Sequence, residues 1–163
     1  MKKWVSVLAA GVGALSLAGG LVVAAGVSTA GATGGPTITV KPDIVAASAA
    51  GSPSGAAIKV SIKGTGLPKG KGEIAVSECN PGVLGGDPLA CNQNPANLGL
   101  PGGPYLGNVN GSGNSTVKMA VVSGAVGDGS CSAGELCYLV VVENPTTSPV
   151  EIGLVAFGIN PLA

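Results

Sequence analysis

Cysteines and carboxylates are the side chains of this sequence whose types and spacing bear on chemistry. Cys79, Cys91, Cys131 and Cys137 fall as two close pairs, and Asp43, Glu73, Glu78, Asp87, Asp128, Glu135, Glu143 and Glu151 are scattered with no pairing between them. Histidine is absent from the chain. Without an imidazole there is no Ser/His/Asp triad, no Cys/His pair and no histidine-ligated metal. The carboxylates therefore read as solvated charges at strand ends, and neither an enzyme nor a metal site is expected. The cysteines read as structural, provided that the chain is exported.

Export is what the N-terminus implies. Met1-Lys2-Lys3 precedes an apolar stretch from Trp4 to Val27, and Ala30-Gly31-Ala32 has the small-x-small form of a cleavage site. Residues 1–32 are expected to be a signal peptide and 33–163 one secreted domain starting at Thr33, a cut after Ala30 being the alternative, with no stable membrane insertion after cleavage. A retained anchor is the competing reading of the apolar stretch. With Lys2 and Lys3 removed, six of the eight lysines remain against eight carboxylates, and there is no arginine. That balance argues against tight binding of phosphate backbones by the protein itself.

The elements that must position the cysteines are strands. Glycines number 29, aromatics are 2% and charged residues 10%, which describes an all-β module with glycine-rich turns and an aliphatic core. The run from Leu136 to Val142 follows Cys137 closely and holds three consecutive valines. It is expected to be a strand with one face on a second sheet and the other against a loop or ligand. Alternation marks further strands at Pro36–Pro42, Ile58–Lys63, Gly72–Cys79, Ser115–Val122 and Glu151–Phe157, with a short one at Tyr105-Leu106. Ala46 to Gly55 reads as a small-residue loop, Asn110 to Gly113 as a turn, and Asp128-Gly129 as a hairpin turn. The stretch Asn92 to Gly113 is long and aperiodic, which favours a functional loop.

Four cysteines allow three pairings. The sequential one, Cys79 with Cys91 and Cys131 with Cys137, closes a short loop at a strand end each time. The rival is a cross-core bridge such as Cys79 to Cys137, of the kind that packs on a buried tryptophan, whereas the only tryptophan here is Trp4. About seven short strands with turn signals suggest a seven-stranded antiparallel immunoglobulin-like sandwich with Greek-key links and two short-loop disulfides.

The motifs Ala57-Ile-Lys-Val-Ser-Ile-Lys-Gly-Thr-Gly-Leu67, Glu78-Cys79, Leu89-Ala-Cys-Asn92, Asn110-Gly-Ser112, Gly127-Asp-Gly129 and Val155-Ala-Phe-Gly-Ile-Asn160, in this order with the two cysteine-bounded loops, resemble the neocarzinostatin family. The resemblance runs from Pro36 to about Asn160. It implies a secreted bacterial apoprotein, monomeric, that shelters an enediyne-type antibiotic chromophore in a cleft, with DNA damage done by the released cargo. Carried over by position, it implies a ligand site of Asn80, Pro81, Leu89, Leu98, Tyr138 and Val140 around the Cys79–Cys91 floor. Pro81 and Leu98 stand where the family has aromatics, and the ribbon from Val122 to Ser130 lacks the family's phenylalanines. These departures leave a second expectation, an exported binding or adhesion module that keeps the sandwich without the chromophore pocket.

Overall fold

A computed structural model describes residues 35–50 and 55–161, so the expected leader and its cleavage site lie outside the described residues. The alternation read in the sequence becomes two sheets. In the first, β1 (Thr37–Lys41), β3 (Ala56–Lys63) and β6 (Asn114–Val121) pair antiparallel in the order β1-β3-β6. Each places aliphatics on one face, Ile38 and Val40, then Ile58, Val60 and Ile62, then Val117, Met119 and Val121, all buried in a common core.

The second sheet has the order β2-β10-β9-β4-β5, built from β2 (Ile44–Ala46), β4 (Gly70–Cys79), β5 (Tyr105–Val109), β9 (Leu136–Glu143) and β10 (Val150–Asn160). Its inner face supplies Ile74 and Val76 from β4, Leu139 and Val141 from β9, and Val155, Phe157 and Ile159 from β10 to the same core. Phe157 is the chain's one phenylalanine and is fully buried. With few rings available, the two layers are held by stacked β-branched and leucine side chains, each contributing roughly 1.5–3 kcal/mol when fully buried.

Ten strands are present among the described residues where seven were expected. All seven expected strands form, with boundaries moved by a few residues. The additions are short: β2 runs parallel to β10, and β7 (Gly124–Val126) with β8 (Gly129–Cys131) makes a two-stranded ribbon. The expected loop after Ala46 opens instead with a four-residue helix, α1 (Ala47–Ala50), whose terminal Ala50 carbonyl accepts from Ser123 N–H at 3.0 Å. The ribbon turn is Gly127-Asp128, one residue earlier than expected, because Val126 pairs with Gly129. At Asn110 the turn is made by the side chain, whose oxygen accepts from Ser112 N–H and Asn114 N–H at 2.9 and 3.0 Å.

Both disulfides are the sequential ones, Cys79–Cys91 and Cys131–Cys137. Such bridges fit an oxidising compartment. Among the described residues no helix is long and apolar enough to cross a membrane.

Candidate functional site

The two sheets differ sharply on their outer faces. On the three-stranded sheet the outward positions are Thr37, Thr39 and Lys41 on β1, Ala57, Lys59, Ser61 and Lys63 on β3, and Asn114, Thr116, Lys118 and Ala120 on β6. This is the polar face that a solvated antiparallel sheet normally carries. The five-stranded sheet departs from it. Reading across the register, its outer rows are Ser77, Val140 and Leu154, then Cys79, Tyr138 and Ala156, then Leu136, Gly158 and Ile44, with Leu106, Ala75, Val142 and Glu151 at the other end.

The single charged side chain in these rows is Glu151, exposed at the β10 end of the Val142 row. Their centre is closed and their corners are open: Val140 is 3% exposed, whereas Leu136, Leu106 and Ile44 are 51%, 45% and 44% exposed. Tyr138, Val142, Leu154 and Ala156 are half-buried. Val140 and Cys79 are buried without belonging to the core between the sheets. Tyr138, Leu154, Ala156 and Gly158 leave a partly exposed apolar strip that runs to Leu136 and Ile44, and exposed apolar surface of this kind marks interaction sites.

The first disulfide stands at one end of this face, since Cys79 lies opposite Tyr138. The loop it closes is not irregular throughout: Pro81–Gly85 forms a 3-10 helix with Pro81 in its first turn and Asn80 as its N-cap. The cap follows from residue type, an asparagine in extended conformation before a proline. Its side-chain oxygen accepts from Gly82 N–H at 2.7 Å. The amide group of Asn80 then donates to the Val126 carbonyl at 2.9 Å and to Asp128 Oδ1 at 3.2 Å, while Asp128 N–H donates to the Leu89 carbonyl at 3.0 Å. The ribbon tip is thereby fastened to the disulfide loop. Gly127 makes this approach feasible, with φ at +61° and with a Cβ there set to overlap the Leu89 carbonyl oxygen.

Of the six residues expected to touch ligand, Tyr138 and Val140 share the outer face with Cys79. Asn80 is buried and its side chain is spent on the ribbon. Pro81 is exposed at the start of the 3-10 helix, and Leu89 and Leu98 are exposed on loops. Sequence reasoning missed Ala75, Ser77, Leu154 and Ala156, which complete the face. Their signal was weak: only strand register brings the second face of β4 and β10 beside Val140.

Because Asn80 connects three segments, Asn80→Ala is expected to cost about 2–3 kcal/mol, the loss of several buried hydrogen bonds and the exposure of their partners. A lower thermal midpoint together with faster proteolysis in the ribbon would register it. A midpoint within error of the parent would contradict the fastening.

Glu78, read from sequence as a surface charge, is fully buried. Its neighbours in β4 alternate, and Ile74 and Val76 point into the core, so Glu78 follows them inward at the strand's end. Oε2 accepts from Val122 N–H at 3.0 Å, and Oε1 has no hydrogen-bond partner. Burial pushes the carboxyl up to about 8, only partly opposed by the Val122 hydrogen bond. Among the described residues no cluster of three or more His, Cys, Asp or Glu is placed to hold a metal ion.

Compared with family models, with curated proteins and with solved structures, the chain matches none.

Proposed function

We propose that the protein is a secreted, monomeric, non-catalytic carrier that holds an apolar small molecule, of the enediyne-chromophore type, against the outer face of the five-stranded sheet. In this reading the two main sheets form an immunoglobulin-like Greek-key sandwich, with β2 and the β7–β8 ribbon as additions to its seven long strands. The observation that carries the proposal is the contrast between the two outer faces. Water is a poor neighbour for the rows beside Val140, and a flat or gently curved polycycle lying on them would remove Leu136, Leu154 and Tyr138 from solvent.

The resemblance to the neocarzinostatin family supports the class of cargo, because Cys79, Tyr138 and Val140 lie on one face as that family's site requires. Damage to DNA would then be the work of the released cargo. The fastening of the ribbon to the disulfide loop supports a rigid wall beside the face, which lowers the ordering cost of binding. Carrying an apolar cargo asks no bond-making of the protein, in keeping with a chain that lacks histidine.

A second reading is favoured by Pro81 and Leu98, which replace aromatic stacking surfaces: an exported binding or adhesion module whose apolar face meets a protein. Native mass spectrometry of the protein from its producing cells, beside the same oxidised chain from a foreign host, separates the two. A carrier shows extra non-covalent mass that solvent extraction removes. A bare mass from the producing cells overturns it and leaves the interaction module.

A further inference from the structure

The opposite outer face carries a second, independent surface. The register sets Lys41, Lys59 and Lys118 directly abreast across β1, β3 and β6. The next row along is Thr39, Ser61 and Thr116, and the one beyond it Thr37, Lys63 and Asn114. All four lysines are exposed. The face includes no carboxylate and no apolar side chain larger than the alanines at 57 and 120.

Like charges directly opposite in a sheet are destabilising, at Cβ separations of roughly 4.5–5.5 Å. Lysine on an edge strand is a common guard against edge pairing, and that role suits Lys41 on β1 and Lys118 on β6. It does not account for Lys59, because β3 is the central strand and is paired on both sides. A face tuned only for solubility would intersperse acids with these bases. The chain's carboxylates lie elsewhere, with Glu73 and Glu78 on β4, Glu143 on β9, Glu151 on β10 and the others in turns, loops or the ribbon. A chain with a near-neutral total is therefore strongly divided in charge.

We propose that this face binds the phosphate backbone of duplex DNA without reading its sequence. The donors are the kinds that contact phosphate, lysine ammonium groups beside hydroxyls and an amide, and the face has no arginine or aromatic with which to read or stack on bases. Strands about 4.8 Å apart with about 3.3 Å per residue place the lysine row and Lys63 within a patch some 10 by 13 Å. A duplex carries one charge per roughly 1.7 Å of axis, so several phosphates meet such a patch, and release of their counterions drives association. An anionic bilayer fits less well, since the face offers nothing apolar to insert among headgroups. The proposal does not depend on a cargo.

The test uses the oxidised protein and a short fluorescein-labelled duplex, with anisotropy followed over a salt series. The logarithm of the binding constant is expected to fall with log salt at a slope of about −3 to −4, three or four phosphates being neutralised. Lys41→Gln/Lys59→Gln/Lys118→Gln should fold, since it relieves repulsion, as circular dichroism will report. It should bind about tenfold more weakly or worse at the lowest salt, with a slope near −1. Lys69→Gln/Lys71→Gln, off this face, should leave both quantities unchanged. Absence of binding at the lowest salt, equal binding by the folded triple variant, or binding to phosphatidylglycerol-containing vesicles without binding to the duplex would overturn the proposal.

Discussion

Glu78→Gln is expected to make the protein more stable at neutral pH and to remove most of the pH dependence of its stability. The carboxyl has an ordinary value of 4.5 and is pushed up to about 8 in the folded chain. Below 4.5 it is protonated both folded and unfolded, and its protonated form fits the buried site. Between 4.5 and 8 the unfolded chain has released a proton that the folded chain still holds, so stability falls as pH rises, by about 1.4 kcal/mol per pH unit. Above 8 the loss is complete and the curve is level. The full span is on the order of 5 kcal/mol, a large share of the stability of a domain this size. Glutamine keeps an acceptor for Val122 N–H and cannot ionise. Denaturant midpoints at pH 5, 7 and 9 are expected to converge in the variant and to decline in the parent; parallel curves would refute the buried acid. Gly102 is part of this site, since a Cβ there would come within 2.7 Å of Val122 Cγ2 and 3.4 Å of Glu78 Oε2.

Replacing both Cys79 and Cys91 by serine is expected to cost about 3 kcal/mol from loop entropy, against about 2 kcal/mol for the Cys131–Cys137 pair, because the loops span 12 and 6 residues. The first loss should spread further. Asn80 follows Cys79 directly and its amide holds the ribbon, so a slackened loop releases β7 and β8 as well. Hydrogen exchange after the first replacement should rise at Val126 to Gly129, whereas replacing Cys131 and Cys137 should leave the 3-10 helix at Pro81–Gly85 protected. Equal exchange patterns in the two variants would contradict the linkage.

The long strands were legible because their alternation is strong. Ile38 and Val40, or Ile58, Val60 and Ile62, name their own buried face, and β-branched residues fit the pleat. The short elements were not. A three-residue strand such as β2 or β7 has too few positions to show a period, and the four small residues of α1 carry no apolar contrast. Glu78 was misread for a related reason. A carboxylate at a strand end is usually solvated, and only the register, with Val76 and Ile74 inward on the same strand, shows that it turns into the core. For the candidate site, Tyr138 and Val140 were visible as members of the valine-rich strand. Their companions Ser77 and Leu154 belong to strands distant in sequence, and pairing alone makes them neighbours.

The same limit applies to charge. Eight lysines against eight carboxylates describe a molecule without electrostatic preference, whereas the strand order gathers four of those lysines on one face and leaves the other without a lysine, with Glu151 at one end of its mostly apolar rows. The two proposed binding faces lie on opposite sides of the core. A variant in one should leave binding at the other intact, because the core lies between them.

The outer face of the five-stranded sheet is where we propose that the cargo sits. Amide chemical shifts of the isotope-labelled, oxidised protein, recorded before and after addition of an apolar extract of its producing cells, test it most directly. Saturable shifts are expected at Ala75, Ser77, Tyr138, Val140 and Leu154, with Lys59 and Thr116 on the far sheet unmoved. Shifts confined to other surfaces, or none at any extract concentration, would contradict it.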